Sequence, residues 1–114
     1  MRDFIKVMKA LSDPSRVKII KLLQHRSLCV CEFQHLIGLA QSTVSKHLKL
    51  LEEARLIDFS RDGLWVNYRL SEEADNPYAA VLLDNLKNWL DDEEDVSKLV
   101  QQLSAVDRET ICRR

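Results

Sequence analysis

The sequence predicts a mainly helical domain carrying one small β-hairpin. Three observations carry that expectation. Apolar residues recur at helical spacing through most of the chain, two helical stretches are separated only by Gly38-Leu39-Ala40, and Asp62-Gly63 lies between two strand-like runs.

The first helix is expected over about residues 3–11, where Phe4, Val7, Met8 and Leu11 share a face. Ser12-Asp13-Pro14 ends it, and Asp13 as N-cap with Pro14 as first helical residue opens a second helix reaching about Gln24. A short third helix is expected from about Cys31 or Glu32 to Ile37, stopped by Gly38. A fourth spans about 41–54. Ile57–Ser60 and Leu64–Leu70 then read as strands around an Arg61-Asp62-Gly63 turn, with Leu64, Val66, Tyr68 and Leu70 on one face and Trp65, Asn67 and Arg69 on the other. Asn76-Pro77 starts a fifth helix whose stripe is Ala79, Leu82, Leu83, Leu86, Trp89 and Leu90, and a last helix is expected over about 96–103. Two helices joined by a tight glycine turn and followed by a hairpin make a winged helix-turn-helix.

The chain's 114 residues suit one core, with 46% hydrophobic and 31% charged residues. No membrane span and no secretory pattern is evident, so a cytoplasmic protein is expected. Three cysteines in a reducing compartment read as thiols or ligands rather than as a disulfide framework. Net charge is −1, which alone speaks against nucleic-acid binding, but the charge is segregated. Residues 16–49 hold Arg16, Lys18, Lys21, Arg26, Lys46 and Lys49 against the single acid Glu32, while 91–95 are all acidic and read as solvated surface.

On a helical wheel the fourth helix places Val44, Leu48 and Leu51 inward. Ser42, Ser45, Lys46 and Lys49 face outward, with Thr43 and His47 at the boundary. Hydroxyls and amides hydrogen-bond base edges, and lysines neutralise phosphates. Gln41, Ser42, Thr43, Ser45 and Lys46 are therefore the expected reading surface, His47 and Lys49 the backbone contacts, and Arg61 and Arg69 the wing contacts. A merely solvated helix face is the alternative, and His47 serves equally well as a packing residue.

Ala10-Leu11-Ser12-Asp13-Pro14-Ser15-Arg16, Ser42 to Leu51, Ala54-Arg55-Leu56-Ile57, Gly63 and Tyr68-Arg69-Leu70 together resemble the ArsR/SmtB family of metal-sensing repressors. The resemblance spans about residues 3–90. It implies a homodimer built from the first and fifth helices, binding to double-stranded operator DNA at an inverted repeat, and release by an inducer. No resident cofactor is required.

Cys29-Val30-Cys31 resembles the family's arsenic-sensing box, which implies trivalent arsenic or antimony as inducer. Cadmium or lead is the alternative, because a related sensor class uses the same pair. Thiolates do select soft ions. In an ideal helix residues i and i+2 point about 200° apart, whereas one ion holds two sulfurs within roughly 4 Å. Chelation thus demands non-helical backbone at Cys29-Val30-Cys31, and binding is expected to unwind or re-aim the start of the third helix. The other readings are two cysteines packed as small apolar residues and a geometrically poor i,i+2 disulfide. The resemblance implies a third cysteine three residues past the pair, where this chain has Gln34. Cys112 is a substitute from either subunit, or a free thiol on a frayed tail. His25 and His35 flank the pair, and the resemblance's zinc site on the fifth helix lacks its histidine.

The expected organisation is a winged-helix domain over residues 1–92, with dimerisation helices, and an acidic linker and tail over 93–114. An enzyme is not expected: no Ser-His-Asp set or phosphate loop is present, and Cys29 with His25 is the only nucleophile–base pair to name. A winged-helix interaction module without DNA binding is the remaining alternative.

Overall fold

A computed structural model describes residues 1–72 and 76–112; the last two residues of the expected tail fall outside it. The helix α1 (Arg2–Ala10) ends at Leu11, and α2 (Pro14–Leu23) begins under the Asp13 cap, whose carboxylate accepts the Ser15 and Arg16 N–H groups at 2.8 and 3.3 Å. The Arg16 guanidinium turns back to donate to the Ala10 and Lys9 carbonyls at 2.7 and 3.2 Å, occupying the exposed end of α1.

Helices α3 (Val30–Ile37) and α4 (Gln41–Glu53) are joined by the turn at Gly38, whose φ of 80° only a residue without Cβ adopts freely. Val44, Leu48 and Leu51 of α4 are fully buried. They meet Val7, Ile19, Ile20, Leu22 and Phe33 in one core. Strands β1 (Ile57–Asp62) and β2 (Trp65–Leu70) pair antiparallel from Ile57–Leu70 to Asp62–Trp65. The turn is therefore Gly63-Leu64 rather than Arg61-Asp62-Gly63. Gly63 takes φ 63°, which suits the first central position of a two-residue hairpin loop. Leu64, expected on the inward face, sits at the tip and is 74% exposed. Tyr68 and Leu70 pack against the core as their alternation requires.

Helix α5 (Pro77–Leu86) starts under an Asn76 cap and stops at Leu86, short of the expected end. Its stripe divides. Ala79, Leu83 and Leu86 are buried in the chain's own core and Leu82 packs against it, while Trp89 and Leu90 stay exposed, as do Tyr78 and Val81 outside the stripe. With Phe4, Ile5 and Met8 of α1 they leave an apolar surface, and Phe4 meets Tyr78 edge-on with ring centroids 5.4 Å apart.

The C-terminal part folds back over the domain. Helix α6 (Glu94–Leu103) packs on α2 and α3, and a short α7 (Arg108–Ile111), which periodicity did not reveal, packs on α3. The acidic run is partly a docking element rather than only solvated surface. The fully buried Lys21 ammonium donates to the Leu86 carbonyl and to Asp91, each at 2.8 Å, and Lys18 lies 3.8 Å from Asp95. A buried ammonium needs such partners, because leaving one unpaired costs on the order of several kcal/mol. None of the described helices is long and apolar enough to cross a membrane.

Burial opposes ionisation of Asp13, but the N–H groups of Arg16 and Ser15 outweigh it and hold the carboxyl below its usual value. A depressed carboxyl stabilises the fold above its unfolded value and loses that contribution as pH falls through the folded one. Asp13→Ala should cost about 1 kcal/mol near neutral pH. Urea titrations of both proteins should show the gap closing as the pH drops below the ordinary carboxyl value of 3.8.

Candidate nucleic-acid interface and thiol site

Helix α4 presents Gln41, Ser42, Ser45, Lys46 and Lys49 to solvent, with Thr43 and His47 half-buried at the boundary. His47 is held from behind: its Nδ1 lies 3.0 Å from the Arg16 guanidinium. One side chain thus joins the end of α1 to the middle of α4. On the hairpin, Arg61 is exposed on β1, while Arg69 on β2 is exposed and pairs with Asp58 at 2.6 Å. All of these residues are presented by two elements, α4 and the hairpin, joined to one core.

The cysteines lie behind that surface. Leu28 forms an antiparallel bridge with Tyr68: its N–H donates to the Tyr68 carbonyl at 3.2 Å, and its carbonyl accepts from the Tyr68 N–H at 2.8 Å. The bridge keeps the chain extended into Cys29, which is the N-cap of α3 with φ −98° and ψ 170°. Val30 begins the helix, one or two residues earlier than expected. The Cys29 N–H donates to Glu32 at 3.0 Å, and the other Glu32 oxygen accepts from Arg26 at 3.0 Å. Glu32 is buried, and this pairing satisfies both its oxygens and an orphan helix N–H.

Because Cys29 is outside the helix, its sulfur approaches that of Cys31 to 3.6 Å. The non-helical backbone that chelation requires is therefore already present. Of the expectation that binding unwinds or re-aims the start of α3, the unwinding is not required, because the helix begins after the first thiol. The Cys31 sulfur is also in direct contact with that of Cys112 at the end of α7, placed as a disulfide partner, with Cα atoms 5.8 Å apart. The sulfurs of Cys29, Cys31 and Cys112 all lie within 4.8 Å of one another. Cys29 is buried, and burial pushes its thiol above the usual range. His25 and His35 are exposed and are not part of this group.

The three sulfurs open into a cleft of about 310 Å³ lined also by Val30, Gln34, Gln41, Leu64, Trp65 and Val66. Its walls are therefore the start of α4 and the tip of the hairpin. The sequence offers Cys112 as a substitute third sulfur, but not the cleft that the cluster shares with both elements of the candidate DNA surface.

Residues 13–58 match the family of bacterial regulatory proteins named arsR. The chain is 35% identical over 101 residues to the arsenical resistance operon repressor of Escherichia coli K12, covering 88% of this chain and 84% of that one. The chain belongs to the ArsR family. This ArsR-family protein is also 40% identical over 72 residues to a cadmium resistance transcriptional regulatory protein, a CadC homologue of Staphylococcus aureus, covering 62% of this chain and 60% of that one. Among solved structures it is similar to a homodimeric winged helix-turn-helix DNA-binding domain of Mycobacterium bovis, with TM-score 0.63 and 24% identity over 82% of this chain and 86% of that one. The fold is thus a winged helix-turn-helix, and the protein is a transcriptional regulator, not an enzyme.

The Glu32 arrangement can be tested directly. Glu32→Ala removes the partner of a buried N–H and of Arg26, so urea unfolding should show a loss of about 2 kcal/mol. Glu32→Gln, which keeps an acceptor for Cys29, should lose less.

Proposed function

We propose that this ArsR-family protein is a homodimeric repressor that leaves its operator when trivalent arsenic or antimony joins Cys29 to Cys31. The observation that carries the reading is the 3.6 Å approach of these two sulfurs at the head of α3. That spacing suits one soft ion with bonds of roughly 2.3 Å to each sulfur. The relative in E. coli bears the name of an arsenical resistance repressor, which favours arsenic over cadmium. The S. aureus relative keeps cadmium, and lead beside it, as the second reading.

In this reading α4 lies in the major groove. Gln41, Ser42, Thr43, Ser45 and Lys46 meet base edges and the nearest phosphates, and His47 and Lys49 meet the backbone. Arg61 and Arg69 extend the contact from the hairpin. The exposed apolar surface of α1 and α5, with Phe4, Ile5, Met8, Tyr78 and Val81, is the surface a second copy covers, and two copies read the halves of an inverted repeat. An ion at the sulfurs acts on DNA binding because the cleft reaches Gln41 and Trp65. The inducer favours an arrangement in which the two reading helices no longer fit successive grooves.

Fluorescence anisotropy on the protein's own promoter DNA checks this. Arsenite should raise the operator Kd at least tenfold for the unaltered protein, and for neither Cys29→Ser nor Cys31→Ser. Release by cadmium and not by arsenite would transfer the function to the second reading. Retention on DNA with every ion would end both.

Reversing Lys46 and Lys49 to Glu should weaken binding to all sequences. The slope of log affinity against log salt should flatten by about 1 for each phosphate that is no longer neutralised. An unchanged slope would place the DNA surface elsewhere.

A further inference from the structure

We infer that Cys112 is the third sulfur donor of the same site, and that the ion it closes straps the C-terminal helix across the hairpin. This rests on the two-thiol reading above and adds a ligand and a coupling to it. Position 34, one turn after the pair, is a glutamine, so α3 itself supplies only two thiols. The fold supplies a third from α7: the Cys112 sulfur touches that of Cys31 and stands within 4.8 Å of that of Cys29. No other His, Cys, Asp or Glu joins this group among the described residues. Three soft donors around one open cleft, with no carboxylate or imidazole, fit a three-coordinate thiophilic centre better than a hard or four-coordinate ion.

The chemistry is ligand exchange without electron transfer. Arsenous acid carries three hydroxyl groups. Each is displaced by one thiol and leaves as water with the thiol proton, forming three As–S bonds. With the protein reduced, Cys31 and Cys112 enter as separate thiols. An arsenic centre that already bears a phenyl group has only two exchangeable positions, so it needs only Cys29 and Cys31.

The coupling runs through Arg108, one turn before Cys112. Its guanidinium donates to Asn67 at 2.9 Å and to Asp62 at 2.8 Å, on opposite strands of the hairpin, and lies 4.9 Å over the Trp65 ring. Asp62 is the last residue of β1 before the hairpin tip, and Asn67 lies on β2 opposite Ser60. Fixing Cys112 to α3 therefore fixes the wing through one side chain. Without the bond, α7 is a single turn that reaches both strands of the hairpin through Arg108.

The experiment is release from operator DNA by the full-length reduced protein, titrated with arsenite or with phenylarsine oxide. Cys112→Ser should need at least tenfold more arsenite for release, while its response to phenylarsine oxide stays within twofold. Arg108→Ala should keep arsenite binding within threefold. It should lose the arsenite-induced change in Trp65 fluorescence, read in a Trp89→Phe background. Unchanged arsenite release in Cys112→Ser would overturn the third ligand and leave the two-thiol reading standing. Equal weakening toward both arsenicals would also overturn it, by assigning Cys112 a structural part. Full response to phenylarsine oxide in Cys29→Ser or Cys31→Ser would overturn the two-thiol reading itself. A Trp65 signal retained in Arg108→Ala would overturn the strap.

Discussion

Two hydrogen bonds between Leu28 and Tyr68 set the conformation on which the rest of the molecule depends. They hold the segment entering α3 as a strand. The helix cannot begin until that strand has ended, so Cys29 becomes its cap and Cys31 its second residue. Had the helix begun two residues earlier, the side chains of Cys29 and Cys31 would point to opposite sides. The same bridge attaches the segment to β2, so the thiols, the first turn of α3 and the base of the hairpin share one anchor. Glu32 completes it by accepting from the Cys29 N–H and from Arg26.

Charge is organised around the same scaffold. The formal total of −1 conceals a division of labour. Lys18 and Lys21 face α6 and the acids before it, where Asp91 and Asp95 meet them. Lys46 and Lys49 are left on α4 with solvent around them. The positive field a DNA phosphate would meet thus comes from α4 and the hairpin arginines rather than from the whole basic segment. The acidic run does not simply lie beside that field; two of its members are engaged in holding α6 to α2.

The sequence disclosed best what is decided locally. Asp13-Pro14 and Asn76-Pro77 announce helix starts because capping needs only adjacent residues. Val44, Leu48 and Leu51 declare the buried side of α4 because period alone decides it. Less was legible where partners are distant. The inward stripe of α5 looked uniform, yet which leucines enter its own core depends on where α1 lies. Leu64 fits the strand alternation, but the turn at Gly63 removes it to the tip. Helix α7 is four residues long, too short for a periodic signal, and takes its place from Arg108 reaching Asp62 and Asn67. The role of Leu28 was hidden altogether, since a bridge to a residue as remote as Tyr68 leaves no trace in spacing.

Arg16 carries a consequence for the geometry of recognition. Its guanidinium occupies the end of α1 and touches His47 in the middle of α4. In the proposed dimer α1 would lie at the contact between copies, so this cation, together with the packing of α1 on α4, would hold the bearing of each reading helix relative to the symmetry axis. Such a dimer would act as a ruler of fixed span. An operator with one base pair inserted between its halves would rotate the far half by about 35°, and the linkage through Arg16 leaves little freedom to follow that rotation.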